Sequence, residues 1–106
     1  MPNTAKIREL NDAFRTTLLG GEIVLSQGIS CREDIREILT KVRRFNTFGE
    51  HNDPWRERDF GAFEVGPDTV YWKIEYYNRD LSGGSEDPSD AAITTRVMTI
   101  MRADEY

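Results

Sequence analysis

His51, Asp53, Glu57 and Asp59 place one imidazole and three carboxylates within a single short stretch, the densest concentration of potentially reactive side chains in the chain. Oxygen ligands at this density suit a hard divalent cation, and an imidazole beside them adds a softer ligand or a proton carrier. The spacing matches neither a calcium-binding loop nor an HExxH helix. Turn capping and salt bridging therefore account for these residues first. A metal-assisted hydrolase, with Asp53, Glu57 and Asp59 as ligands and His51 as base, is the alternative. Glu64 and Glu75 offer a second acid–base arrangement if they face each other across a short turn, since paired carboxylates in unequal environments divide acid and base roles. On a wet sheet face the same two residues are ordinary surface charges. Ser82-Gly83-Gly84-Ser85 lacks the Lys-Ser/Thr ending of a phosphate loop, and Glu86 and Asp87 directly after it repel phosphate. It reads as a turning loop.

A different chemistry is carried by the aromatic residues. Trp55, Tyr71, Trp72, Tyr76 and Tyr77 stand among carboxylates, and rings beside charges bury large areas while their polar atoms keep hydrogen-bonding options. Trp72 reads as core, whereas Trp55 lies in a polar stretch suited to an exposed anchor. The expected recognition surface comprises Asp53, Trp55, Glu57, Tyr71, Glu75, Tyr77, Glu86 and Asp87. Its expected partner is another protein, with a basic surface.

Charge patterning agrees. The net charge of −5 divides into +2 over residues 1–45 and −7 over residues 46–106. An acidic face attracts basic proteins and repels nucleic acid. Arg32, Arg36, Lys41, Arg43 and Arg44 form the basic group, but Glu33, Asp34 and Glu37 interrupt it, so direct nucleic-acid binding is the weaker reading. Cys31 is the single cysteine, which excludes an internal disulfide and a cysteine metal cluster. It is expected half-buried near a helix start, and a free thiol fits a reducing, cytoplasmic setting. No apolar run reaches the length of a membrane span, and no cofactor is implied.

The elements that must position these residues follow from periodicity. Ile7, Leu10, Phe14 and Leu18 recur at helical steps, predicting a first helix over 4–18 capped by Thr4 and ended by Gly20 and Gly21. A strand is expected over 22–27. Ser30 and Glu33 form a capping-box pattern, predicting a second helix over 31–45 with Ile35, Ile38, Leu39, Val42 and Phe45 on its buried stripe. Asn52, Asp53 and Pro54 favour turns. Strands are expected over 59–65 and 69–77, joined at Gly66-Pro67-Asp68, with Val70, Trp72, Ile74 and Tyr76 facing the core. Either Phe60 or Phe63 matches that face, and Gly61 marks a bulge or a close backbone approach. After a polar loop over 78–90, Ser89 or Asp90 caps a last helix carrying Ile93, Val97, Ile100 and Met101. The expected fold class is α+β: one small domain over residues 1–106 in the order α-β-α-β-β-α, with a central antiparallel hairpin or sheet packed against about three helices. Oligomeric state does not follow.

The combination of LNDAFR at 10–15, NDP at 52–54, DFGAFE at 59–64, WKIEYY at 72–77, SEDP at 85–88, TRVMTIM at 95–101 and ADEY at 103–106 resembles the bacterial domain-of-unknown-function family numbered 3768. The resemblance covers nearly the whole chain. It implies a small bacterial protein, often carried on plasmids or other mobile elements, with no catalytic assignment. The family usually carries histidine directly before DFG and reads WKIDYYD; this chain has Arg58, Glu75 and Asn78 instead. Any metal or catalytic role of that histidine does not carry over to this chain. The resemblance supports an accessory or regulatory interaction protein, acting on a protein of a nucleic-acid-processing or mobile-element system.

Overall fold

Apolar side chains that alternate along residues 68–77 and recur every three or four positions along residues 35–44 can be buried together only if a helix layer covers one face of a sheet. The computed structural model, which describes residues 3–106, has this arrangement. Its elements are α1 (Thr4–Thr17), β1 (Gly21–Leu25), the single turn α2 (Gln27–Ser30), α3 (Ile35–Arg44), β2 (Phe60–Val65), β3 (Asp68–Tyr77), β4 (Thr95–Arg102) and a final 3-10 turn, Ala103–Glu105. The protein is a small single α+β domain with a mixed four-stranded sheet in the order β1-β4-β3-β2, packed against three helices.

The hairpin β2-β3 is antiparallel and lies at one side of the sheet rather than at its centre, where β3 pairs with β4. Val65 pairs with Asp68, leaving Gly66 and Pro67 as a two-residue turn. Gly66 has φ +59°, and a positive φ at the first position followed by proline's fixed negative φ matches the primed turns that follow strand twist. Val70, Trp72 and Ile74 are buried, as the alternation requires, together with Phe14, Ile29, Ile38, Val42, Met98 and Ile100. Each large side chain so buried contributes roughly 1.5–3 kcal/mol before conformational entropy is counted. Phe63, opposite Val70, is the core-side phenylalanine; Phe60 lies on the other face against Tyr71, their ring centroids 5.2 Å apart. Gly61 sits in unbroken register opposite Trp72, so it marks a close approach and not a bulge. A Cβ there would collide with the Trp72 indole nitrogen.

Three expectations are corrected. The helix anticipated after residue 89 is instead a turn leading into β4. Ile93, Val97, Ile100 and Met101 satisfy a helical period, but Thr94, Thr95, Val97, Thr99 and Ile100 are β-branched and stiff at χ1. Pairing decides the outcome: β4 runs antiparallel to β3 and parallel to β1, with Met98 and Ile100 buried and Ile93 exposed. The Ser30–Glu33 capping box does not form. Ser26 caps α2 through the Ile29 N–H, Cys31 ends that turn and is exposed, and α3 begins only at Ile35. Arg32 orients this entry, donating to Asp34 at 2.7 and 2.9 Å and to Asp68 at 2.7 Å. Finally, Asn3, not Thr4, caps α1, which ends with Leu18 in the left-handed region before either glycine.

Candidate functional site

The LNDAFR stretch places Asn11, Asp12 and Arg15 on one side of α1, where helical steps of three and four bring them in line with one another. Three strong polar groups so placed would normally face water. Here Asn11 is 0% exposed and Arg15 3%, and they organise a polar centre between α1, the loop over 45–59, β3 and β4. Asn11 Nδ2 donates to the Glu57 carbonyl at 2.9 Å and to the Tyr76 hydroxyl at 2.8 Å, while its Oδ1 accepts from Arg96 Nε at 2.7 Å. Arg96, 3% exposed, reaches on to the Pro88 carbonyl at 2.6 Å and lies over the Tyr76 ring. The Tyr76 hydroxyl donates to Glu57 Oε1 at 2.7 Å.

Arg15 closes the other end of this network. Its Nη1 donates to the carbonyls of Val42 and Phe45 at 3.0 and 2.8 Å, satisfying acceptors at the end of α3, and its guanidinium lies over the rings of Phe48 and Trp72. Asp12 joins it to Arg58 through contacts of 3.3 and 2.9 Å. Burial holds the pKa of Arg15 and Arg96 below the ordinary arginine value. Burial, then the hydrogen bond to Glu57, pushes the Tyr76 phenol up. Burial and the neighbouring Glu57 and Asp53 carboxylates push Asp59 up. Each shift disfavours the charged form of its group.

The sequence-predicted residues separate into three places. Asp53 is buried and scaffolds its loop: its carbonyl accepts from Arg56 N–H at 3.1 Å and its Oδ1 from Arg58 N–H at 2.9 Å. Arg56 and Arg58 both adopt positive φ, and Arg8 donates to the Arg56 carbonyl. This turn thrusts Trp55 outward, 77% exposed. Glu57 and Asp59 stay beside the polar centre, and His51 is exposed on the loop. Among the described residues no group of three or more His, Cys, Asp or Glu side chains converges to hold a metal ion. A cleft of about 410 Å³ beside this loop is lined by Phe48, Gly49, Glu50, Asp53, Pro54 and Arg56, and therefore excludes Glu57, Asp59 and His51.

Tyr71, Glu75 and Tyr77 occupy the second place, the sheet face opposite the helices. Phe60, Tyr71 and Tyr106 form an edge-to-face cluster there, with centroids 5.2, 5.6 and 6.4 Å apart, and Lys73 Nζ lies over the Tyr106 ring. Glu64 and Glu75 share this face but not a site. Glu64 pairs with Thr69, six residues before Glu75, which separates them by about 20 Å along the strand. The paired-carboxylate arrangement is thus not assembled. Glu86 and Asp87 lie in the third place, the loop between β3 and β4, both exposed. Asp87 Oδ1 accepts from the Ser89 N–H and hydroxyl, which hold its pKa down.

Sequence reading missed Asn11, Arg15 and Arg96, which carry the polar centre. The available signal was their presence inside the quoted LNDAFR and TRVMTIM stretches, together with a polar line on an otherwise amphipathic helix. Most of the other stretches also have structural work: Asn52 accepts from Gly49 N–H and donates to the Thr47 carbonyl, the Ser85 and Thr94 hydroxyls meet at 2.7 Å, and Glu105 accepts from Ser26, Gly28 and Arg102.

Among the described residues, no helix is long and apolar enough to cross a membrane. No curated protein and no solved structure matches this chain significantly. A family model described as "Protein of unknown function (DUF3768)" matches residues 4–105. With its motif stretches distributed through one polar scaffold and one hairpin, the chain belongs to the DUF3768 family over almost its entire length.

Proposed function

We propose that the protein is an accessory or regulatory interaction module that docks another protein on the open face of its sheet. The observation that carries this reading is the three-ring cluster of Phe60, Tyr71 and Tyr106 on the face without helices, a face that also carries exposed Val24 and Glu75. Rings supply rigid contact area at low entropic cost and are enriched at interface centres. Glu22, Glu64 and Glu75 project from the same face and outnumber Lys73, which favours a partner with basic groups around an apolar patch. The family resemblance directs the search to proteins of nucleic-acid-processing or mobile-element systems. Trp55, Glu86 and Asp87 form separate projections and are auxiliary contacts; Asp53 and Glu57 act by shaping the loop. A lone free cysteine fits a reducing cytoplasm.

The test is site-specific photo-crosslinking in the native bacterium, with the photoreactive residue at Tyr71 or Val97 on the sheet face and at Glu9 on the outer side of α1. A specific partner should be trapped from the sheet positions and lost when Tyr71→Glu is combined with Val24→Glu. Equal trapping from Glu9, or a partner retained by the folded double variant, would overturn the reading.

A further inference from the structure

Among the described residues strand β2 is an edge strand, paired with β3 alone. In an antiparallel ladder alternate residues turn their backbone groups toward the partner strand. Ile74 N–H donates to the Asp59 carbonyl, and in the same register Gly61, Phe63 and Val65 face β3. The N–H and C=O groups of Phe60, Ala62 and Glu64 therefore point away from the sheet. Such a row is a template for another strand, and proteins usually blunt it with proline, a bulge or a cover. β2 contains no proline, and its pairing is unbroken over six residues.

Beside this edge, on the helix side, lies a groove of about 820 Å³ between α3 and β2. Phe45 and Phe63 supply its apolar surface, and Arg36, Lys41 and Arg44 its cations. All three cations are exposed and form no ion pair among the described residues, unlike Arg32, which is held by Asp34 and Asp68. Arg43, on the neighbouring helical position, is likewise occupied, donating to the Thr16 carbonyl at 3.0 Å. Glu37 is the single carboxylate of the groove lining. A protein with net charge −5 thus gathers three uncommitted cations next to its free strand edge.

We infer that β2 and this groove form a second docking site, for an acidic extended segment of a partner protein that joins the sheet as a fifth strand. The incoming backbone pairs with Phe60, Ala62 and Glu64. Its alternate side chains lie under α3, where an aliphatic residue contacts Phe45 and Phe63 and carboxylates meet Arg36, Lys41 and Arg44. Backbone pairing supplies affinity in this mode, and the side chains on one face supply specificity. The strand edge favours a peptide over nucleic acid, which would use the cations but not the ladder.

The probe is a fluorescein-labelled octapeptide with threonine at odd positions and glutamate and valine alternating at even positions; a second peptide replaces glutamate by lysine. Fluorescence anisotropy should show saturable binding of the glutamate peptide, weakened by salt, and none of the lysine peptide. Ala62→Pro removes an outward N–H at a position where an edge strand tolerates proline, and should abolish binding while circular dichroism stays unchanged. Should that variant fail to fold, the exposed helical pair Arg36→Glu and Arg44→Glu provides the independent arm and should weaken binding by about tenfold or more. The inference is overturned if the folded Ala62→Pro protein binds as well as the parent, if the charge reversals leave affinity unchanged, or if the lysine peptide binds equally. It is also overturned if a single-stranded oligonucleotide binds in preference to the peptide, or if the edge proves occupied by a second copy in solution. Open-face variants such as Tyr71→Glu should leave this binding intact, separating the two sites.

Discussion

Replacing Asn11 by alanine is the most direct test of the polar centre. Asn11 is fully buried and makes three hydrogen bonds, to the Glu57 carbonyl, the Tyr76 hydroxyl and Arg96. Truncation leaves the Arg96 Nε–H without its acceptor in a site that is already 97% shielded, since the residue is 3% exposed. A hydrogen bond to a charged group is worth roughly 1.5–3 kcal/mol and each neutral one about 1 kcal/mol, which together predict a loss of about 3–5 kcal/mol. Tyr76 keeps its bond to Glu57, so the loss should fall in the lower half of that range. Domains of this size have a total stability of roughly 5–15 kcal/mol, so the urea midpoint should fall by a fifth or more. Urea titration followed by tryptophan fluorescence reads it, best in a Trp55→Phe background because Trp55 is exposed whereas Trp72 reports the core. The control is Glu9→Ala on the outer side of α1, expected within about 0.5 kcal/mol of the parent. A loss below about 1 kcal/mol for Asn11→Ala, or one no larger than the control's, would mean that water or local rearrangement replaces the network and would refute the argument.

Gly61→Ala should destabilise by about 1–3 kcal/mol through overpacking, because the new methyl meets the Trp72 indole, itself wedged under Arg15 and Phe45; an unchanged thermal midpoint would contradict this. Asp59→Asn should stabilise the protein at neutral pH. The folded-state pKa of Asp59 is raised, so the folded protein binds the proton more readily, and stability falls as pH rises from the unfolded value through the folded one. The gain from Asn should therefore be full above that window and vanish below it, and a thermal-midpoint profile against pH showing no such crossover would count against the assigned environment. Glu105→Ala should release the C-terminal turn from Ser26 and Gly28, seen as faster amide exchange at Gly28 and Ile29; unchanged exchange would show that the tail is held by other contacts.

The hairpin was readable residue by residue because its alternation is local: Val70, Trp72 and Ile74 face inward for the same reason that Lys73 and Glu75 face outward. The site was readable only in part. Asp53 lies where turn chemistry places it and accepts from Arg58 five residues on, but the loop meets α1 through the Asp12–Arg58 ion pair, whose members are 46 positions apart. Trp55 protrudes as expected, while the proposed recognition residues divide among a loop, an open sheet face and a second loop. No local pattern announces that Asn11 and Arg96, eighty-five positions apart, share a hydrogen bond.

Composition and periodicity by themselves determined an α+β chain with an amphipathic first helix, a basic-edged second one and an antiparallel hairpin, since these follow from side-chain spacing within about a dozen residues. Tertiary structure alone decided that residues 95–102 form a strand, that α1 presents buried polar groups to three other elements, and that one sheet face and the outer edge of β2 remain open. The physical reason is the same in each case. A strand between two neighbours gains its hydrogen bonds from distant chain, and a buried arginine is tolerable only where remote carbonyls and amides converge to receive it.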